Sequence, residues 1–67
     1  MLTDDFPQYI TVLRRGEKFY PALMEWDKRE ERYSLKEAFK EKWSRAQAII
    51  EAEALAKFLG LEYREPL

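Results

Sequence analysis

The sequence contains no cysteine and no histidine. The chain therefore has no thiolate nucleophile and no imidazole, the commonest general base at neutral pH and the commonest ligand of transition metals. It has only two glycines, whereas loops that cradle phosphate groups need several glycines at fixed spacing. These absences predict a protein that is not an enzyme, with no catalytic, cofactor-binding or metal-binding residues and no cofactor.

Long apolar runs and a charge excess of one sign are also missing. Twelve Lys and Arg against 13 Asp and Glu give a net charge of −1, which produces no overall attraction to nucleic acid or anionic lipid. No stretch approaches the ~20 apolar residues that span a bilayer, and the N-terminus does not resemble a signal peptide. Because small secreted domains usually depend on disulfides, we expect a soluble, cytoplasmic protein with no membrane partner.

What the chain does have is enough apolar material for one small core. Its 67 residues are 46% hydrophobic and include four Phe, four Tyr and two Trp. Large rings bury much area per residue, which suits a core built from few side chains. The length fits one domain, residues 1–67, of modest stability.

The clearest strand pattern follows a short acidic lead-in, residues 1–8. Aromatic and β-branched side chains dominate residues 9–26, and Gly16 can adopt the positive φ of a tight turn between two strands. We therefore predict a β-hairpin over residues 9–26. Pro21 cannot donate a hydrogen bond to a neighbouring strand, so it predicts a sheet edge or a bulge. Residues 32–35 form a possible third strand.

A helix is predicted over residues 44–59. Ser44 can cap its N-terminus, and Gly60 can end it in the left-handed conformation. Six apolar residues recur at spacings of three and four, so one stripe faces the sheet: Ala48, Ile49, Ala52, Leu55, Ala56 and Leu59. Residues 61–67 then form a last strand or an extended tail.

Residues 36–43 can be interpreted in two ways. A helix that begins near Ser34 would run for about 25 residues, because Phe39, Trp43 and Ile50 continue a helical spacing. Alternatively, the third strand ends, Glu37 to Lys42 form a turn or a short helix, and Trp43 anchors the entry to the helix. We favour the second interpretation, because the long helix would be apolar on two faces. Such a leftover face would predict a partner or a dimer.

Together these elements predict an α+β fold, with a two- to three-stranded antiparallel sheet packed against one C-terminal helix. The segment from Trp43 to Ala48 opens an alanine-rich helix after an aromatic residue and a capping serine. With the hairpin and third strand, it resembles small bacterial β-β-β-α domains over residues 9–62. The DNA-binding arm domains of tyrosine recombinases share this layout, but this chain lacks their basic excess.

The functional prediction is a small non-catalytic protein-interaction module that binds another protein or itself. Cations lie beside aromatic residues in the hairpin, which is typical of surfaces that bind nucleic-acid strands. Nucleic-acid binding through the basic tip is therefore the alternative, less favoured because the charge is balanced. The predicted binding surface consists of Arg14, Arg15, Lys18, Tyr20 and Trp26.

Overall fold

The computed structural model describes residues 7–66. Most of the predicted lead-in, residues 1–6, and the last residue of the predicted tail lie outside this range. The described elements are β1 (Gln8–Arg15), β2 (Lys18–Asp27), β3 (Arg32–Ala38), α1 (Arg45–Leu59) and β4 (Glu62–Tyr63).

The strands form one sheet in the order β3-β2-β1-β4, and α1 packs against β1 and β2. The predicted α+β class is confirmed. The sheet has four strands rather than two or three, and it is mixed, because β4 runs parallel to β1. No helix within residues 7–66 is long and apolar enough to cross a membrane.

The predicted hairpin is present as β1 and β2. Arg15 pairs with Lys18 across the turn, and Gly16 has φ 63°. Non-glycine residues rarely adopt this left-handed conformation, so Gly16 fits the turn. Ile10, Val12 and Leu23 of the hairpin all lie in the core, with the buried alanines of α1.

Pro21 lies in an interior strand, opposite Val12 of β1. Its carbonyl accepts the backbone N–H of Phe39 at 2.9 Å. The register between β2 and β3 shifts nearby, between Leu23 and Met24. The predicted sheet edge is therefore wrong, and the bulge lies two residues further along β2 and not at the proline itself.

The segment between β3 and α1 is extended, so both the continuous long helix and the turn or short helix at residues 37–42 are wrong. β3 runs to Ala38, three residues beyond the predicted third strand. Phe39 packs against the core, and Lys42 exchanges two backbone hydrogen bonds with Phe19, of 2.8 and 2.6 Å. Pairing with β2 gives the backbone groups of Phe39 and Lys42 their hydrogen-bond partners, and it places the Phe39 ring under α1. A helix over these residues could not make both sets of contacts at the same time.

The C-terminal helix matches the prediction at both ends. The Ser44 hydroxyl accepts the N–H of Gln47 at 3.4 Å, and Gly60 ends the helix with φ 73°. Ala48, Ala52 and Ala56 are buried against the sheet, at 0%, 0% and 3% exposure. Three small side chains on one stripe let the helix backbone come close to the strands.

The chain after α1 returns to the sheet as β4. Tyr9 pairs with Glu62 and Ile10 with Tyr63. The Arg64 N–H donates to the Ile10 carbonyl at 2.9 Å, and the buried Thr11 hydroxyl donates to the Arg64 carbonyl at 2.8 Å. The predicted last strand is therefore present as a short strand. The residue that follows it, Arg64, also accepts the hydrogen bond of the buried Thr11 hydroxyl.

Candidate functional site

The residues of the predicted binding surface do not form one patch. Arg14 and Arg15 are exposed at the hairpin tip, and Lys18 is half-buried beside them. Tyr20 is only 6% exposed and offers little surface to a ligand. Trp26 is 40% exposed, but it lies near the far end of β2, roughly 20 Å from Tyr20 at the usual rise per residue.

Each cation of the tip contacts an aromatic ring. The guanidinium carbon of Arg14 lies 5.8 Å from the ring centre of Phe19, and that of Arg15 lies 5.3 Å from that of Tyr20. Lys18 Nζ lies 4.5 Å from the ring centre of Trp43. We call Arg14, Arg15 and Lys18 the basic tip. Through these cation–π contacts, the cations of the basic tip already interact in part with rings of the chain itself.

At the other end of the sheet, Trp26 belongs to an aromatic cluster on the face away from α1. Tyr33 contacts both Tyr9 and Trp26 edge to face, with ring centres 4.7 and 5.1 Å apart. The Arg64 guanidinium lies 4.2 Å from the centre of Tyr9 and 5.1 Å from that of Tyr33. These rings fix the C-terminal segment to the sheet, so most of their area serves the fold.

Two further exposed apolar side chains lie on the side of α1 that faces away from the sheet. Phe58 is 86% exposed and Ile50 is 65% exposed. They lie four residues before and after Ala54, which is also exposed, so the three side chains follow one line along the helix. We call Ile50, Ala54 and Phe58 the outer helix surface. It is opposite Ala52, because two residues turn a helix by about 200°.

Charged side chains flank this surface on both sides. Glu51 and Lys57 are exposed and lie about 60° to either side of Ala54 around the helix axis. Glu51 Oε1 is 3.7 Å from Lys42 Nζ, and the Glu51 side chain is 58% exposed. The Glu51 carboxylate is on the solvent side of this 3.7 Å pair, so it can still interact with a second cation.

A shallow groove runs beside the outer helix surface. Phe58, Ala54 and Leu55 form its helical wall, and Phe39 and Pro21 come from the opposite side. Leu55 and Phe39 also pack against the core. The groove therefore joins exposed apolar atoms of the helix to the edge of the core, in one apolar region with a charged border.

The sequence indicates part of the outer helix surface. Trp43, Ile50 and Phe39 form a second helical spacing, but the structure places Phe39 under the helix and Trp43 beside Lys18. Only Ile50 of those three belongs to the outer helix surface. The spacing of Ile50, Ala54 and Phe58 over eight residues would have identified it, because it lies opposite the stripe of buried alanines.

Two titratable groups near the end of the described chain, Tyr63 and Arg64, have raised pKa values. Burial, followed by the negative charge of Glu65, raises the pKa of Tyr63 above its usual value of 10.0. The shift takes this phenol further from proton transfer at neutral pH. Among residues 7–66, no three Asp or Glu side chains are grouped as a metal-binding cluster.

Comparison with known proteins gives no relative from which a function could be transferred. We found no match to this chain among protein-family models, curated proteins or solved structures. Functional inference therefore starts from the surfaces described above.

Proposed function

We propose that this chain is a small, non-catalytic protein-interaction module that binds through the outer helix surface. The observation that carries the proposal is the exposure of Phe58 and Ile50, at 86% and 65%. Both are large apolar side chains on a helix whose opposite stripe already supplies the contact with the sheet. Contiguous exposed apolar residues with a polar border are typical of protein-binding sites.

The chemistry of the surface also favours a protein partner. Aromatic side chains near the centre of an interface often supply a large part of the binding free energy, and Phe58 lies beside a groove that an apolar side chain can enter. The flanking Glu51 and Lys57 give the border one charge of each sign. Such a border favours a partner with mixed charges over a uniformly anionic polymer.

The test compares three purified proteins: the wild type, the double variant Ile50→Ser and Phe58→Ser, and the control Leu35→Ser. Leu35 is 45% exposed and belongs to β3, away from the helix. Light scattering over a wide concentration range measures self-association, and recovery of proteins from an extract of the source cells measures binding to others. We expect binding by the wild type and the control, and its loss in the double variant.

Two results would contradict the proposal. One is a wild type that stays monomeric at high concentration and recovers no protein. The other is a double variant that binds as well as the wild type, since binding would then involve another surface. Circular dichroism of each variant checks that the fold is kept.

The alternative function is nucleic-acid binding through the basic tip. It is favoured by the lack of any carboxylate in an ion pair with Arg14 or Arg15 within residues 7–66, while Lys18 is paired with Glu41 at 3.6 Å. Trp43, 72% exposed beside Lys18, offers a ring on which a base can stack. Arginines without a carboxylate partner, on the same hairpin tip as a lysine that contacts an exposed ring, suit a single-stranded ligand.

This alternative predicts binding that weakens steeply as salt is raised and that is reduced by Arg14→Ala and Arg15→Ala. Arg29→Ala is the matched control, because Arg29 lies in the turn at the opposite end of the hairpin. Fluorescence anisotropy with labelled single-stranded DNA and RNA measures the affinity. No binding at low salt, or equal loss in the control, would exclude the basic tip.

A further inference from the structure

We infer that the edge of β1 at residues 12–14, which is left open where β4 ends, binds an extended acidic segment of another protein as an added strand. This edge belongs to the hairpin and is separate from the outer helix surface, so the binding adds to the proposed function. Three features carry the inference: the backbone groups that β4 leaves open, the cleft beside them, and the side chains that line this cleft.

The pairing of β1 on this side stops at Ile10. Within residues 7–66, parallel pairing with β4 extends over Tyr9 and Ile10, and its last backbone hydrogen bond runs from the Arg64 N–H to the Ile10 carbonyl, at 2.9 Å. In this register the next bond would join the N–H of residue 66 to the Val12 carbonyl. Pro66 has no N–H, so the sequence itself ends the pairing.

Two residues of β1 beyond this point direct their backbone groups away from β2. Successive residues of a strand point their N–H and C=O groups to opposite sides. Because the Ile10 carbonyl points to β4, the backbone groups of Val12 and Arg14 point to the same edge. The Val12 carbonyl and both backbone groups of Arg14 can therefore pair with about three residues of an extended chain.

A cleft lies along this open edge. Its walls come from β1 residues 11–14, from residues 64–66, which follow β4, and from Arg45 at the start of α1. Arg14, on the open edge, is exposed. A segment that enters the cleft therefore meets the open backbone groups of β1 directly.

The lining of the cleft is basic on the side of α1. Within residues 7–66 it includes three arginines, Arg14, Arg45 and Arg64, and one carboxylate, that of Glu65. Arg64 already has a carboxylate partner, whereas neither Arg14 nor Arg45 is in an ion pair in the described part of the chain. Arg14 alternates with Val12 of the core and lies on the same face of β1. These two arginines favour acidic side chains on the α1 side of an added strand.

The opposite side of the edge is apolar. Leu13 lies between Val12 and Arg14 in the sequence, so its side chain is on the face away from α1. It is half-buried and lines the cleft together with Met24. Successive side chains of an added strand also point to opposite faces. The segment that fits this edge therefore alternates acidic and apolar residues.

Four labelled hexapeptides test the strand addition by fluorescence anisotropy with the full chain. The first alternates glutamate and valine, and the second has three glutamates followed by three valines. The third and fourth are the alternating peptide with N-methyl groups on either the glutamates or the valines. Alternate N–H groups of a strand point to opposite sides, so only one of these two loses its hydrogen bonds to β1. We expect the alternating peptide to bind at least about fivefold more tightly than the block peptide, and one N-methylated peptide to keep its binding.

Two replacements of Arg14 separate strand pairing from charge. Arg14→Thr removes the guanidinium and keeps the backbone N–H, while Arg14→Pro removes both. Proline is tolerated at an edge where the N–H points out of the sheet, and circular dichroism checks the fold. Arg14→Thr should weaken binding of the alternating peptide about threefold or more, and Arg14→Pro at least about fivefold further, because a peptide carbonyl loses its donor. Arg29→Thr, in the turn at the opposite end of the hairpin, is the control and should bind as the wild type does.

Four results would overturn the inference. These are no binding of the alternating peptide at millimolar concentration, equal binding of the block peptide, equal binding of the two N-methylated peptides, and equal weakening by Arg14→Thr and Arg14→Pro. The last result would indicate a ligand that contacts only the arginine side chain, as a nucleic acid does. The double variant Ile50→Ser and Phe58→Ser should bind the peptide normally, so failure here leaves the proposed function standing.

Discussion

The two faces of α1 reverse the usual relation between the size of an apolar side chain and its burial. The face towards the sheet has Ala48, Ala52 and Ala56 along its centre, almost fully buried, with Ile49 and Leu55 partly buried at its borders. The face towards solvent carries Ile50 and Phe58, which are mostly exposed. Small residues allow the helix backbone to approach the strands, and larger side chains from the sheet fill the remaining space. The large residues outside are thus not needed to form the core, and they are available for binding.

The largest expected effect compares isoleucines on the two sides of the molecule. Ile10 is fully buried between β1 and α1, while Ile50 is 65% exposed. Ile10→Ala should lower the free energy of unfolding by about 2–5 kcal/mol, because it leaves a cavity. Ile50→Ala should change it by less than about 0.5 kcal/mol. Urea denaturation at low protein concentration measures both values, and similar losses would contradict the comparison.

The next effect compares alanines only two residues apart. Ala52→Leu adds bulk where the helix meets the sheet and should cost about 1–3 kcal/mol of unfolding free energy. Ala54→Leu adds the same atoms on the outer face and should stay within about 0.5 kcal/mol in the monomer. The same denaturation experiment decides, and a tolerated Ala52→Leu would mean that the helix is not closely packed on the strands.

A smaller effect concerns the start of the helix, on which both faces depend. Ser44→Ala removes the acceptor for the N–H of Gln47 and should cost about 0.5–1 kcal/mol, at the low end for an exposed cap. Ser34→Ala, in β3, is the control, since Ser34 caps no helix. Thermal unfolding followed by circular dichroism measures the difference, and equal melting temperatures of the two variants would argue against the cap.

The smallest effect on stability is expected for removing the outer helix surface altogether. The double variant Ile50→Ser and Phe58→Ser should keep the monomer's free energy of unfolding within about 0.5–1 kcal/mol, because neither side chain is in the core. Urea denaturation at low concentration gives this value. A loss comparable to that of Ile10→Ala would show that the exposed face contributes to folding after all.

Local patterns in the sequence were sufficient for the hairpin and the helix. Gly16, Ser44 and Gly60 mark turns and helix ends through their own backbone or side-chain chemistry, which does not depend on distant residues. The sequence alone predicts either a strand or a tail for residues 61–67, because only two residues of β4 pair, and they do so with β1, more than fifty residues earlier in the chain. Such a strand is stabilised by tertiary contacts that no local propensity encodes.

The candidate site shows the same limit. The position of Tyr20 beside the basic residues of the hairpin predicts that it belongs to the binding surface, but it does not show that Tyr20 is only 6% exposed. Phe39 continued a helical spacing because its distance from Trp43 fits a helix as well as an extended chain with a bend. The extended conformation is adopted instead of the helix because Lys42 pairs with Phe19. These two residues are distant in the sequence.

The parallel pairing of β1 and β4 has a mechanical consequence. Tension applied through the chain before Pro7 and after Pro66 would pull these two strands in opposite directions along their length. The hydrogen bonds between them, including that from Arg64 to Ile10, would then be loaded together in shear rather than opened one after another. β4 has only two residues, but because it pairs in parallel with β1 it would be the first part of the fold to resist stretching.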